Sequence, residues 1–424
     1  MVTAEKPRGT TVFRGLVADP PTGEVEFTSI WKLYILTLVG SVIADYGLVG
    51  DPAKKVQDAL YHEGLLSKSD APLASRFRLV WDWVKAAIPR MVPQGDMSLD
   101  PATMAPIGIS FKISLQEPSA NDRSKGFLSL DDLLTFGDRA LEENDLHLWI
   151  LFDRLDVAFS ESHDLEANGI RALFKTYLDM GDLDRIGLKI FLRTDIWDEV
   201  TRSGFREASH ITRQLRIEWG SASLLNLVVR RALRLKPICN YLDVEPASVM
   251  DDAGAQRKFF DAMVPDQVDV GKNPRTFDWI LGRVQDGTRR SAPREVIHLL
   301  NESRDSQLKM LERGEQEPPG TELLSRAAFR EALHPVSTVR LEQTLYAEYP
   351  NEKPWIQQLE GEKTEHTVAT LAEIWNASEG EATKRAQRLV EIGFLEERGE
   401  RGSEIFWVPF LYRLGLKMRQ GAAT

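Results

Sequence analysis

The sequence predicts an α/β protein: a three-layer core on a parallel sheet, then a small helical domain, then a domain of two helices and a hairpin. Three observations carry this. Residues 148–152 (LWILF) and 187–192 (GLKIFL) are short continuous apolar runs, each closed by charged residues, as expected of strands buried on both faces. Segments of helical period separate such runs, and alternation of strand and helix argues for helices layered on a sheet. After residue 236 strand-like runs become scarce until the last eighty residues.

In order along the chain, residues 10–18 (TTVFRGLVA) read as a strand broken by Asp19-Pro20-Pro21. A helix is expected over about 27–45. Its most apolar part, 30–44, contains Lys32 and is shorter than the ~20 residues a membrane span needs, so it reads as a buried amphipathic helix. Residues 50–100 look helical and irregular, with a Trp-rich stretch at 77–88 (FRLVWDWVKAAI). Residues 107–115 alternate like a strand. Ser129 and Asp132 form a capping box opening a helix over 130–143. The strand 148–152 follows, then a helix near 165–179, the strand 187–192, a further strand at 211–217 and a helix over 221–235. The expected divisions are an α/β core over 1–236, a helical domain over 237–305, a helix and linker over 306–337, and a last domain over 338–424. In that last domain two helices (TLAEIW and EATKRAQRLVEI) precede a hairpin, which is the pattern of a winged helix.

Composition narrows the function. The 424 residues suggest two to three domains at ~100–200 residues each. The net charge of −11 argues against attraction of the whole protein to nucleic acid or anionic lipid, and no membrane partner is expected. The one cysteine, Cys239, excludes a disulfide framework within a chain and reads as buried packing. The first ten residues lead into a strand rather than an apolar leader, so a cytoplasmic location is expected. Seven scattered histidines, without HExxH or a His/Cys cluster, suggest no zinc site.

Candidate chemistry gathers at the strand ends. Asp153 closes the run 148–152, where open α/β sheets place ligand chemistry, and is the place for a carboxylate that orders Mg²⁺ through water. Asp156, one turn on, is placed to orient an attacking water. Arg193, Thr194 and Asp195 stand at the next strand tip, facing the position of a γ-phosphate. Pro293-Arg294 starts a helix and projects Arg294 from its first turn. In the last domain Lys384, Arg385 and Arg388 lie on the second helix, with Arg398 and Arg401 in the hairpin, where basic residues meet DNA phosphates. Glutamates at 379, 381, 396, 397, 400 and 404 surround them, so the patch is not net basic, and a protein partner is the alternative. The plain alternative for the strand-tip residues is that they cap the segments that follow. No GxxxxGK[ST] phosphate loop occurs anywhere in the chain.

Taken in order, the segments FTSIWKLYI, LHLWILFDRLD, LKIFLRTDIWDEV, LRIEWGSASLLNLVVRRAL, SAPREVIHLLN and the ending LVEIGFLEERG to IFWVPFLYRLGL resemble a bacterial P-loop ATPase family of the STAND/AAA+ neighbourhood. That resemblance implies an ATPase core, a helical lid and a winged helix, with ATP and Mg²⁺ as cofactors. It makes Asp153 the Walker B aspartate, Arg193 to Asp195 the sensor strand tip, and Arg294 a lid arginine. It also implies a signalling switch or oligomerising scaffold, associated with bacterial defence. The departure is the Walker A loop, which such proteins carry just before the region matching residue 1, so that TTVFRGLVA would be the strand after it. A shortened product, a mis-called start and true loss of phosphate binding all fit. Little or no ATP hydrolysis is expected of this polypeptide alone. A DNA-binding regulator and a protein-interaction scaffold with a vestigial core are the competing readings.

Overall fold

The computed structural model describes residues 2–4, 24–66, 77, 79–84, 112–114, 118–124, 127–153, 155, 163–202, 204–399 and 404–423. The chain is mixed α/β, mostly helical, with small sheets that include parallel strand pairs. It forms two compact units, Met1–Gln214 and Leu215–Thr424. The expected divisions at 236/237, 305/306 and 337/338 each fall inside a helix (Lys236–Leu242, Pro293–Glu312 and Arg326–Val339). The segments at 10–21 and 85–88, with Arg154, Asp156 and Arg401, lie outside the described residues.

The first unit is organised around helix α1 (Glu24–Asp45). Its apolar residues run round the whole helix rather than along one stripe, and such a helix has to be buried. Leu33, Ile35, Leu36, Val39 and Ile43 are all fully buried. The expected amphipathic helix is therefore a central core helix. It is long and apolar enough to cross a membrane by length and composition, yet 72% of that window is buried inside the unit. Lys32 is accommodated by two carboxylates, Asp131 at 2.9 Å and Asp179 at 2.8 Å. Burial works against its charge, but the hydrogen bonds to Asp179 and Asp131 outweigh it and hold the ammonium above its usual pKa.

Helix α2 (Asp51–His62) and helix α3 (Leu130–Glu143) pack against α1 and each other. The capping box forms as expected: Asp132 N donates to Ser129 Oγ at 3.0 Å, and Ser129 N donates to Asp132 Oδ2 at 3.2 Å. Gly137 sets how closely α3 approaches α1, since a Cβ there would lie 2.7 Å from Val39 Cγ1. Helix α4 (His163–Asp179) lies along α1, and Trp31 Nε1 donates to Gly169 O at 2.8 Å.

Strands β1 (Val2–Ala4), β4 (Leu148–Phe152) and β5 (Ile186–Ile190) form a parallel sheet with β4 in the middle. A separate parallel pair joins β2 (Lys112–Ser114) to β3 (Phe127–Ser129). On β4 the side chains of Leu148, Ile150 and Phe152 are buried, and Phe152 meets Trp31 at 5.5 Å between ring centroids. On the other face Trp149 is 55% exposed and Phe191 44%, with Lys189 over the Trp149 ring. Among the described residues helices cover one face of this sheet. A third layer is not among them. An all-apolar run such as LWILF gives no sign of which face is covered, because both faces carry large apolar side chains.

The expected strand at 211–217 is not formed. Residues 211–220 adopt no helix, strand or turn, and 212–220 are exposed. The pattern is that of a strand, but a strand needs a neighbour to satisfy its backbone, and this segment has none among the described residues.

The second unit has one continuous core. Helices α6 (Ser221–Ala232), α7 (Ala253–Met263), α8 (Thr276–Val284), α9 (Pro293–Glu312) and α10 (Arg326–Val339) share it with α11 (Val368–Ile374) and α12 (Glu379–Glu391). The short helix α5 (Thr194–Arg202) belongs to the first unit, where Trp197 packs on Phe174. Helix α10 runs on into a π-helical turn, Arg340–Leu345. A four-stranded sheet follows the order β7 (Glu396–Arg398), β8 (Ile405–Trp407), β6 (Lys363–His366), β9 (Arg419–Ala422), with β7 and β8 the expected antiparallel hairpin. Cys239 is buried, as its apolar surroundings suggested. Gly287 donates to Gly393 O at 2.7 Å, and a Cβ there would run into the Leu395 carbonyl oxygen.

Two expectations follow. Leu36→Ala should lower the unfolding free energy by ~2–5 kcal/mol, read from urea denaturation, because it empties a fully buried site. His366 is 1% exposed, and burial pushes its imidazole below its usual pKa. Above about pH 6.5 it is neutral in both folded and unfolded chains. As pH falls below that value the unfolded chain takes up the proton first, so stability is lost toward the lowered folded pKa. Denaturation midpoints at pH 7.5 and 5.5 should differ for the wild type, and differ less for His366→Gln.

Candidate functional site

The C-terminal edge of the parallel sheet brings two of the expected residues onto neighbouring strands. Phe191 N donates to Phe152 O at 2.8 Å, so Asp153, directly after β4, stands beside the end of β5. Arg193 lies two residues further on, and its carbonyl accepts from Trp197 N as α5 begins. Thr194 and Asp195 form the first turn of that helix. The fold thus places Asp153 and Arg193 after neighbouring strands at one sheet edge, while Asp156 lies outside the described residues.

Among the described residues this edge shows no phosphate cradle. A phosphate cradle needs consecutive backbone N–H groups in a glycine-bearing loop that opens a helix. The connection from β5 to α5 is Phe191-Leu192-Arg193, without glycine or lysine. Among the described residues no group of three His, Cys, Asp or Glu gathers to hold a metal.

Arg294 occupies a different place, in the second unit. Pro293 starts α9 as the sequence suggested. The Arg294 guanidinium meets Glu295 Oε1 at 3.4 Å and donates to Thr344 Oγ1 at 3.2 Å in the π-helical turn. Glu295 is 5% exposed and also pairs with Arg340 at 3.0 Å. This is a buried polar cluster at the junction of α9 and the turn. Among the described residues Glu295 Oε2 and Arg340 Nε lack a hydrogen-bond partner there, and the Tyr412 hydroxyl faces the Arg340 guanidinium. Burial pushes the Tyr412 hydroxyl up to about 12. Sequence reading missed Glu295, Arg340 and Tyr412, which lie far apart along the chain and carry no shared motif.

The basic residues of α12 and the hairpin are mostly engaged. Arg385 pairs with Glu381 one turn earlier and lies over the Trp355 ring. Arg388 meets Glu352 at 2.8 Å and Glu391 at 3.3 Å. Despite burial, the hydrogen bonds to Glu352 and Glu391 raise its pKa. Arg398 holds Glu396 through two hydrogen bonds of 2.9 and 3.0 Å. Glu396 also accepts from Arg289 and, against the effect of its burial, is held below the usual carboxylate range by Arg398 and Arg289. Lys384 is exposed. Helix α12 carries three cations (Lys384, Arg385, Arg388) against three carboxylates (Glu379, Glu381, Glu391), so it is neutral.

Beside the hairpin is an arrangement that sequence reading did not find: arginines and rings alternate. Arg398 lies 3.7 Å from the Trp407 centroid, and Arg413 4.3 Å from Trp407 and 4.1 Å from Phe410. Arg283 lies 3.8 Å from Phe410 and 5.2 Å from Trp279. Arg413 is 8% exposed and donates through Nε to Val408 O at 2.8 Å. One of its terminal nitrogens is buried without a partner. Burial, then the neighbouring Arg283 and Arg398, push it down to about 10, so it is still a cation at neutral pH. Ring faces supply the favourable field that a carboxylate would otherwise supply. The stack ties β8 and the Phe410–Arg413 turn to α8.

Comparison with family models, curated proteins and solved structures finds no significant match to this chain.

Because Glu352 is buried and held by Arg388, Arg388→Ala should lower the unfolding free energy by ~1–3 kcal/mol. Lys384→Ala, on the exposed side of the same helix, should change it by less than ~0.5 kcal/mol. Equal stability of the two variants in chemical denaturation would contradict the structural role given to Arg388.

Proposed function

We propose that this chain is a regulatory module of P-loop ATPase architecture that does not turn over ATP, and that its C-terminal unit, a winged helix, works through protein contacts. The observation that carries the reading is the engagement of Arg385, Arg388 and Arg398 by Glu381, Glu352, Glu391 and Glu396. A DNA-reading helix offers free cations to phosphates, and neutralised phosphates account for most of such affinity. A helix whose arginines are held by its own carboxylates, with net charge zero, offers little of that. What it presents is a mixed charged surface, which can be matched by complementary charges on a protein partner.

The same reading applies to the first unit. Asp153 at the end of the central strand is where an ATPase would order magnesium, and Arg193 stands at the neighbouring tip. The loop that would grip the phosphates is missing from all 424 residues. Several charge-assisted hydrogen bonds at ~1.5–3 kcal/mol each are lost with it, and one carboxylate does not replace them. The unit retains the body of a switch as a scaffold.

Two titrations test this. A fluorescent ATP analogue with magnesium should show no saturable binding to the chain. A labelled mixed-sequence duplex should show no affinity that falls steeply between 50 and 200 mM salt. Magnesium-dependent ATP-analogue binding that disappears in Asp153→Ala would refute the first half, and steep salt-dependent duplex binding lost on Arg385→Ala/Arg388→Ala would refute the second.

A further inference from the structure

The segment at 215–219, Leu215-Arg216-Ile217-Glu218-Trp219, has the alternation of a half-buried strand but none of its surroundings. Leu215 is 89% exposed, Ile217 69% and Trp219 40%. Large apolar side chains this exposed, at three alternate positions of a five-residue segment, are unusual for a protein surface. The segment adopts no helix, turn or bend. Among the described residues its backbone N–H and C=O groups from Leu215 to Trp219 take part in no backbone hydrogen bond. Arg216 and Glu218, at the positions between them, are exposed, and among the described residues neither forms an ion pair. All three capacities of a strand are therefore unspent: backbone pairing, an apolar face and a charged face.

The order of residues points to what fills them. We infer that this segment is the docking strand for a second copy of the same chain, paired antiparallel about a two-fold axis through Ile217. In that register Leu215 lies opposite Trp219 of the second copy, and Ile217 opposite its own equivalent. On the other face Arg216 lies opposite the second copy's Glu218, and Glu218 opposite its Arg216. Directly opposed residues in an antiparallel pair have Cβ atoms ~4.5–5.5 Å apart, which suits both the aromatic–aliphatic pairs and the two ion pairs. An isologous contact requires a patch complementary to itself, and L-R-I-E-W read against its own reverse satisfies that on both faces. A shift of one residue would put the apolar side chains on the charged face, so the register is specified by the sequence. A five-residue two-stranded pairing is small, and the association is accordingly weak and concentration-dependent. The inference does not depend on the function proposed above.

Light scattering or sedimentation of the full chain over a range of concentrations should show monomer and dimer in exchange. Arg216→Glu alone, or Glu218→Arg alone, opposes like charges at both ends and should weaken dimerisation roughly tenfold. Mixing the two variants restores opposite charges across the pair and should recover wild-type association in the mixture. Register is read by oxidation. Cys239 is buried and stays out of the reaction. Ile217→Cys places two thiols across the axis, within the ~7 Å Cα separation a disulfide allows, and should cross-link. Leu215→Cys places them about four residues apart along the pair, or ~13 Å, and should not. A chain that is monomeric at every concentration overturns the inference. So does a dimer indifferent to the charge reversals, or one in which Leu215→Cys cross-links as well as Ile217→Cys.

Discussion

Taking a guanidinium out of water costs more than most contacts return, so each half-buried arginine of the second unit has to be matched by a carboxylate or a ring. That requirement organises the C-terminal sheet and its helices. Arg388 meets Glu352, and Asp269 gathers Arg283 and the Trp279 indole, while the exposed Arg398 and Arg330 join Glu396 and Asp269. Burial works against the Asp269 charge, yet these three donors hold its carboxyl below the usual range. Among the described residues Arg413 forms no salt bridge and lies instead against Trp407 and Phe410. The hairpin is positioned by these matches, and the proposed function rests on the same engagement of Arg398 by Glu396. Structure and functional reading thus rest on one electrostatic constraint.

The first unit depends on a different but equally simple fact: a helix apolar on every side must be surrounded. Helix α1 takes α2, α3 and α4 around it and places the β4 strand against Trp31 through Phe152. Its one cation, Lys32, is held by carboxylates from α3 and from the end of α4. The helix thereby backs the sheet whose end carries Asp153 and Arg193, and the sequence holds no GxxxxGK[ST] phosphate loop.

Much of this was legible in the residues. The runs LWILF and GLKIFL locate two parallel strands, Ser129 and Asp132 announce the start of a helix, and the pattern from 370 to 408 announces two helices and a hairpin. The failures share a cause. Residues 211–217 carry a strand's alternation, but alternation reports what a segment is able to pair with and not whether a neighbour is present. That Glu352 engages Arg388 is invisible in the residues around α12, because Glu352 comes from 36 residues earlier in the chain. The arginine and ring stack joins residues from 279 to 413 and leaves no local signature. Interactions between distant residues decided the site, and single-sequence patterns do not contain them.

The most direct test is to release the arginines. Replacing Glu381, Glu391 and Glu396 by glutamine leaves Arg385, Arg388 and Arg398 in place and removes three of the carboxylates that engage them. Duplex affinity of this triple variant and of the wild type would be measured by anisotropy across a salt series. The account predicts that the variant gains an affinity whose logarithm falls as salt rises, while the wild type shows none. A wild type that already binds with a steep salt slope, unchanged by the three replacements, would contradict it.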